Sequence, residues 1–593
     1  MIVPMKKVSL VVLDKYTEEA LLNLRAQGLV HIKYIQSPSS SAIDLLEKQI
    51  QDIQNALLIT SRYCLSGKEE KYTDKADLLS LATQIISWNK QKQNCLQEKQ
   101  NIESIISWYQ DWGEFSISSL KELSKQGIYI RLYRCSKKEL LSLSKTSTVE
   151  VIKRQGRIYY LAVVSLVDKH KINLAEVIPP DKELSALKKE LKVMGDKIAS
   201  LDNLLTEKAN YRRVFENYLA QLKKSLVFNK VKSGMQEAGE VSCLQGFIPA
   251  TEVAKLINLA NRQGWAYLIQ EPDNPQEVPT LIKNPRWLRI IEPVFKFMGT
   301  LPGYNELDIS LTFLLFFSLF FALLISDAGY GLVFLLVTYF IRKRLSNAPG
   351  EPFMLMYVLG FATVIWGALS GTWFGVERIA QLPFFKTMVI GRVNSFIDVN
   401  QTFMMYLCFL IGAVHLTVAH STIALRIINS LRALGQLGWI LIIWSLFFIA
   451  ARLVLARDLF RYTAVMFFLG IVLVLLFSHP QKKFFKGIVV SLADLPLRVI
   501  NSFSDIISYL RLFAVGYATL AVASSFNHMA SRIGFNNLLG GFIGALILFL
   551  GHGLNILLGL MAVIVHGIRL NMLEFSSHLG MQWSGIEYKP FRE

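Results

Sequence analysis

Two arginines lie inside long apolar stretches near the carboxyl end of the chain. Arg511 sits in the run Ser502-Phe-Ser-Asp-Ile-Ile-Ser-Tyr-Leu-Arg-Leu-Phe-Ala-Val-Gly-Tyr-Ala-Thr519, where no acidic residue is closer than Asp505. On a helix turning about 100° per residue, Ser504 and Ser508 fall about 20° and about 60° from it, so the three form one polar stripe. Arg569 shares its face with His566 and Asn555, about 60° and about 40° away by the same count, and Glu574 follows about a turn and a half later. Burying a guanidinium at mid-bilayer costs from about 2.5 to more than about 10 kcal/mol, so intramembrane arginines face a cavity, a partner or an ion path. The plainer reading has both snorkel to an interface or hold structural pairs, for example with Asp505 and Glu574.

Other polar residues in this half read as structural. Asp327, at the break Ser326-Asp-Ala-Gly-Tyr-Gly331, is expected to cap a helix, and Asp494 and Arg498, one turn apart, to pair at an interface. His415, His420 and His552 are candidates for a proton path but are expected to be packed and hydrogen-bonded. Gly367, Gly371 and Gly375 form a stripe that favours close helix packing. Nucleotide and metal chemistry have no visible seat. The Gly67-Lys68 pair runs into Glu69 without the earlier glycine of a phosphate loop, and no H-E-x-x-H, metal-spaced Cys/His set or nucleophile elbow occurs. The chain is not expected to hydrolyse ATP by itself or to carry a cofactor or metal.

The elements that must position these residues follow from a split in composition. Of 593 residues, 52% are hydrophobic and 18% charged, with a net charge of +18 and a mean hydropathy of +0.36. Residues 1–305 hold 43 basic and 33 acidic side chains, and 306–593 hold 20 and 12. A soluble half therefore precedes a membrane half. A soluble nucleic-acid binder is excluded as the source of the +18, because the second half could not stay in water. The five cysteines, Cys64, Cys95, Cys135, Cys243 and Cys408, lack C-x-x-C spacing and read as reduced. The first apolar run, Val8 to Leu13, reads as a strand rather than a signal peptide, so the amino-terminal half is expected to stay in the cytoplasm.

In that half, Val8 to Leu13, Thr17 to Gln27 and Leu29 to Tyr34 read as strand, helix and strand around a stop at Gly28. Ile43, Leu46, Ile50, Ile53 and Leu57 form a heptad stripe, and Leu184, Leu187, Leu191, Met194, Ile198, Leu201 and Leu205 form a second after Pro179-Pro180. A helix over 181–226 would be about 69 Å long. Strands at Ile128 to Tyr133 and Tyr159 to Val167 flank a helical Lys137 to Leu143. The expected object is an α/β lobe, a two-helix coiled-coil stalk over about 43–115 and 181–226, a distal α/β lobe over about 125–178, and a return to the first lobe over about 240–305.

In the second half, apolar segments fall at about 309–326, 328–341, 354–376, 400–425, 432–455, 460–478, 499–532 and 537–578. Eight spans put both termini on one side, although eight inner-loop cations against seven outer ones leave the orientation to the soluble half. The last two segments, about 51 and 63 Å as helices, exceed a hydrocarbon core of about 30 Å and must tilt, break or protrude.

These residues resemble a specific family, subunit I of bacterial and archaeal V/A-type rotary ATPases, equivalent to the a subunit of the eukaryotic vacuolar proton pump. The likeness covers nearly the whole chain. It is carried by Lys6-Lys-Val-Ser-Leu10 with Gly28-Leu-Val-His-Ile32; Val278-Pro-Thr-Leu-Ile-Lys-Asn-Pro285 with Glu292-Pro-Val294; Leu301-Pro-Gly-Tyr-Asn-Glu-Leu-Asp308 with Asp327-Ala-Gly-Tyr-Gly331; Ser508-Tyr-Leu-Arg-Leu512; and His566-Gly-Ile-Arg-Leu570 with Glu574-Phe575. By this resemblance Arg511 and Arg569 match the family's two essential membrane arginines, and Glu574 matches an acidic residue after the second. Eukaryotic relatives carry a membrane carboxylate where this chain has Gly559, which leaves Asp505, Glu574 or His566 to share its role. The resemblance implies a multi-pass stator subunit of the bacterial plasma membrane with cytoplasmic termini. A ring of small subunits, each bearing an ion-binding carboxylate that selects H+ or Na+, would rotate past it. Two offset half-channels would load and unload those carboxylates, and the stalk would hold peripheral-stalk subunits. The alternatives are a self-contained secondary transporter, for which no internal repeat is visible, and a membrane scaffold, which has no use for buried arginines.

Overall fold

A computed structural model describes residues 1–63, 75–143, 148–167, 174–478, 484–534 and 537–592. Cys64, the Gly67-Lys68-Glu69 run and two of the inner-loop cations, Lys482 and Lys483, lie outside the described residues. The chain forms two compact units, one from residues 11–26 and 34–244, the other from 1–10, 27–33 and 245–592.

In the first unit, Ser40 opens the helix Ser41–Thr60 by accepting from the Ile43 N–H at 3.3 Å, a side-chain cap that satisfies a free backbone donor. Ile43, Ile50, Ile53 and Ala56 are buried along one face. This helix packs against Arg212–Ser233, and Lys75–Trp112 packs against Leu184–Lys208. The single helix expected over 181–226 is interrupted: it starts at Leu184, a 3-10 turn occupies Ala209–Tyr211, and a second helix follows. Buried Leu201, Leu205 and Ala209 are four apart, but buried Tyr211 comes only two later, and residues two apart do not share a helical face. The tighter turn re-phases the stripe so that Phe215, Tyr218 and Leu222 stay in the core.

A four-stranded antiparallel sheet in the same unit orders Thr148–Gln155, Ile158–Ser165, Tyr129–Ser136 and Glu176–Val177. Lys137–Leu143 packs on it through Leu143, against Cys135 and Leu161. Two of these strands are expected from the sequence. The strand at 148–155 is not, because an irregularity between Val151 and Lys153 breaks the two-residue alternation that marks a strand.

Strands at His31–Lys33, Val241–Pro249, Met5–Leu13 and Ala266–Gln270 lie side by side in that order, all but residues 11–13 and 241–244 belonging to the second unit. The strand–helix–strand expected of the opening residues is present, but its strands are not neighbours: Val241–Pro249 lies between them, with Phe247 opposite His31. Gly246 permits this approach, since a Cβ there would meet Val30 Cγ1 at 2.4 Å. Both chain ends are fastened to this lobe. The Met1 ammonium donates to Asn284 Oδ1 at 2.8 Å and to Asp308 at 2.5 Å. Ile586–Glu587 pairs in parallel with Pro279–Thr280, and the Phe591 N–H donates to the Val30 carbonyl at 2.8 Å.

The same unit contains the apolar helices. Ser310–Ile325 and Ala328–Arg344 meet at 118°, and Glu351–Ser370, Gln401–Arg426, Arg432–Leu455 and Thr463–Phe477 follow. Two long stretches end the series, Leu492–Ile533 and Leu538–His578. Among the described residues five helices, or six counting the bent pair once, are long and apolar enough to cross a membrane, rather than eight. The first two and Thr463–Phe477 have only 16, 17 and 15 residues, short of the roughly 20 that a span needs. Ser310–Ile325 is buried nearly all round, with Phe313, Phe320 and Leu324 inaccessible, as befits the central helix of a bundle. The glycine stripe is also corrected. Gly367 is helical, and a Cβ there would strike the Ala328 nitrogen at 2.1 Å, whereas the helix ends at Ser370 and Gly371 caps it with φ 77°.

Candidate ion-translocation site

The segment carrying Arg511 breaks at one residue. Phe484–Ser508 ends, Tyr509 lies between, and Leu510–Ile533 begins. Tyr509 is fully buried and its hydroxyl meets His415 Nδ1 at 2.8 Å. His415 is also stacked between Phe316 and Phe575, a packed residue as expected. Arg511 stands in the first turn after the break, and its Nη2 donates to Ser508 Oγ at 2.9 Å.

The segment carrying Arg569 changes its winding. After Leu538–Ala562, π-helical turns occupy Val563–Gly567 and Leu570–Phe575. On a regular helix Arg569 and Glu574 would be about 140° apart. The i→i+5 bonding of a π turn, which occurs often at functional sites, brings residues five apart onto one face. Glu574 Oε1 accordingly lies 3.5 Å from Arg511 Nη2 and 3.5 Å from Arg569 Nε. The Glu574 side chain is 3% exposed, against 27% for Arg511 and 52% for Arg569. His566 is within electrostatic reach of both guanidinium groups. Ser508, Arg511, His566, Arg569 and Glu574 are thus brought together.

The other sequence candidates lie elsewhere. Ser504 is exposed on its helix. Asp505 ends a row of side chains: its Oδ2 is 3.1 Å from His578 Nε2, His578 Nδ1 is 3.0 Å from His420 Nε2, and His420 Nδ1 is 2.7 Å from Gln436 Oε1. These hydrogen bonds join Asp505, His578, His420 and Gln436 into one continuous polar row. It lines an open cavity of about 370 Å³ together with Ser502 and Trp439.

Asn555 does not join Arg569, because it is held at a second polar cluster. It donates to Tyr330 Oη at 2.9 Å and to the Thr519 carbonyl at 2.8 Å. Tyr330 Oη also meets His552 Nδ1 at 2.8 Å, and His552 Nε2 meets Asn527 Oδ1 at 3.1 Å. Asp327 fixes this corner. Its carboxylate accepts from Tyr330 N–H at 3.2 Å and from the Phe374 and Gly375 N–H groups at 2.9 Å, so it is the expected cap and also a tie to a distant loop. At position 559, a Cβ would meet Ile325 Cδ1 at 2.8 Å; glycine gives that close packing in place of a carboxylate.

Relative position follows from the Gln401–Arg426 helix. His420, in the Asp505 row, lies about 28 Å along it from Gln401, at about 1.5 Å per residue. Gln401 reaches Tyr517 at 3.1 Å, and Tyr517 precedes Thr519 on the second cluster's side. His415, between the two, touches Tyr509 beside Arg511. The arginines therefore lie between two polar clusters near opposite ends of the bundle. The His420 end is that of the lobe, since Arg426 donates to the Asn305 carbonyl at 3.2 Å. His578, Gln436, Tyr330 and Asn527 are not singled out in the sequence, because their partners are far away along the chain. The spacing of His578, nine residues after Arg569, is the one local hint. Asp494 and Arg498 do pair, at 3.4 Å, on an exposed surface.

No family model matches the chain. It is 32% identical over 629 residues to the V-type ATP synthase subunit I of Borreliella burgdorferi, covering 100% of each. It is 30% identical to the V-type ATP synthase subunit I 1 of Treponema pallidum, again over 100% of each. Its identity to the A-type ATP synthase subunit I of Methanocaldococcus jannaschii is 23%, over 100% of this chain and 98% of that one. A crystal structure of the cytoplasmic N-terminal domain of a V-ATPase subunit I matches at 15% identity and TM-score 0.24, covering 44% of this chain and 99% of its own, too loose a likeness to carry an argument.

Proposed function

The chain belongs to the subunit I family of V/A-type ATP synthases, and from that premise we propose that it is the stator and ion-translocating subunit of such a rotary machine, working against a ring of carboxylate-bearing membrane subunits. Subunit I is a membrane component of the complex and is not an enzyme on its own. The observation that carries the proposal is the placement of Arg511 and Arg569 between two separate polar clusters. The Asp505, His578 and His420 row with its cavity serves as the half-channel on the lobe side. The Tyr330, His552, Asn527 and Asn555 cluster belongs to the half-channel on the far side.

A neutral ring carboxylate can face lipid and an ionised one cannot. Between the half-channels, the guanidinium groups favour the ionised form while it passes and bar a direct leak. The long segments 492–533 and 538–578 follow the curved ring, and the helices of 43–115 and 181–226 act as a cytoplasmic stalk that binds peripheral stator subunits and resists torque. Residues 1–305 are the cytoplasmic stator domain, residues 306–593 the membrane domain, and both termini face the cytoplasm of a bacterial plasma membrane.

Reconstitution tests this reading. Liposomes holding this chain alone are expected to show no ion flux above empty vesicles, and liposomes holding the whole complex to show ATP-driven flux. Gradient-driven flux through the chain alone would make it a self-contained transporter and overturn the proposal.

A further inference from the structure

Glu574 is bound to both arginines at once, and its bonding is incomplete. Each guanidinium lies at 3.5 Å, longer than the roughly 2.7–2.9 Å of a tight charge-assisted hydrogen bond. Glu574 Oε2 and Arg511 Nη1 are both buried with no hydrogen-bond partner among the described residues. A buried acceptor and a buried donor left unused within one ion pair carry a desolvation cost. Arg511 Nη1 is a donor still open to a second carboxylate.

We propose that Glu574 is a resident counter-ion for Arg511 and Arg569, a positioning residue that holds the pair when no ring carboxylate is present and yields them when one arrives. This rests on the reading that a ring carboxylate passes the arginines. With Glu574 ionised, the site offers the visitor roughly one net positive charge instead of two. The ring carboxylate is held as an anion strongly enough to pass but weakly enough to be neutralised again on the far side.

The charged and titratable groups that interact with Glu574 are Asp505, Tyr509 at the helix break and Arg511, and Arg569 from its own segment; His566 on that segment interacts with the two arginines. His415, from Gln401–Arg426, stacks on the neighbouring Phe575. The Ser310–Ile325 helix contributes no titratable side chain. Of these, the arginines are the groups whose charge Glu574 offsets.

The test is Glu574→Gln in the whole complex, with Glu574→Asp beside it. The glutamine keeps shape and removes charge, so the second positive charge is exposed and the ring carboxylate is harder to neutralise. For a proton-driven ring, the pH–rate profile for ATP-driven pumping is expected to move toward acid by about one unit, with a several-fold loss of rate at neutral pH that is recovered at lower pH. For a sodium ring, the sodium concentration giving half-maximal rate rises instead. The aspartate variant keeps the charge and stays near the parent profile. Unchanged ion dependence in an assembled Glu574→Gln complex would overturn this proposal while leaving the assignment of the arginines intact; so would equal loss in both variants at every pH and sodium concentration.

Discussion

Arg511→Ala is expected to lower ATP-driven ion pumping by about a hundredfold or more, the scale on which a preorganised electrostatic group is missed, while the complex still assembles. Function fails because the other arginine stands on a different segment with its side chain half exposed, and Arg569 alone cannot both hold a passing carboxylate and close the gap between the clusters. Assembly survives because Arg511 supports little else. Its side-chain partners among the described residues are Ser508 and Glu574, and after truncation Glu574 keeps Arg569 at 3.5 Å. No buried carboxylate is left without a cation, the circumstance that makes breaking a buried pair so destabilising. Pumping and ATP hydrolysis measured on the purified complex, with subunit content checked on the same sample, decide the matter. Full pumping by the variant would remove Arg511 from the mechanism.

Asp327→Ala is expected to fail earlier, at folding and assembly. The carboxylate is buried and accepts three backbone N–H groups, from Tyr330, Phe374 and Gly375. Hydrogen bonds to a charged group contribute about 1.5–3 kcal/mol each, so losing the common acceptor and leaving the donors unsatisfied costs at least about 3 kcal/mol. The damage spreads because the site joins a sharp break to a distant loop. Ser326 sits there in a left-handed conformation at φ 52°, and its carbonyl accepts from Thr372 Oγ1. Tyr330, one turn on, carries the hydroxyl that gathers His552 and Asn555. Lower yield in the membrane and a clearly lower unfolding temperature in detergent are predicted, with Asp327→Asn intermediate because one oxygen still accepts. Parent-like yield and unfolding temperature for the alanine variant would show that the tie is dispensable.

The two cases mark what a sequence conveys. The cap at Asp327, the paired Asp494 and Arg498 and the apolar segments all depend on neighbours within a few residues or on composition, and all are visible in the string of residues. The sequence offers Glu574 as a partner for an arginine but not the geometry that joins it to both, because regular helical counting sets Arg569 and Glu574 on different faces and only the π turns correct it. Asn555 fails for a related reason: helical phase predicts a face but not which helix will occupy it, and Tyr330 occupies this one. The Asp505, His578, His420 and Gln436 row draws on four separate segments, and only packing brings these together. Likewise, the turn at 209–211 records a change of stripe phase that a search for apolar positions at helical spacing passes over.

The central claim is that the arginines separate two half-channels opening to opposite sides, and side-specific thiol labelling tests it most directly. In the otherwise cysteine-free complex in sealed vesicles, Asn501→Cys, on the cavity of the Asp505 row, and Gln401→Cys, beside Tyr517, are exposed to a membrane-impermeant reagent from one side at a time. Asn501→Cys is expected to react from the side that carries the ATPase sector and Gln401→Cys from the opposite side. Labelling of both from one side, or of each from both, would contradict the account.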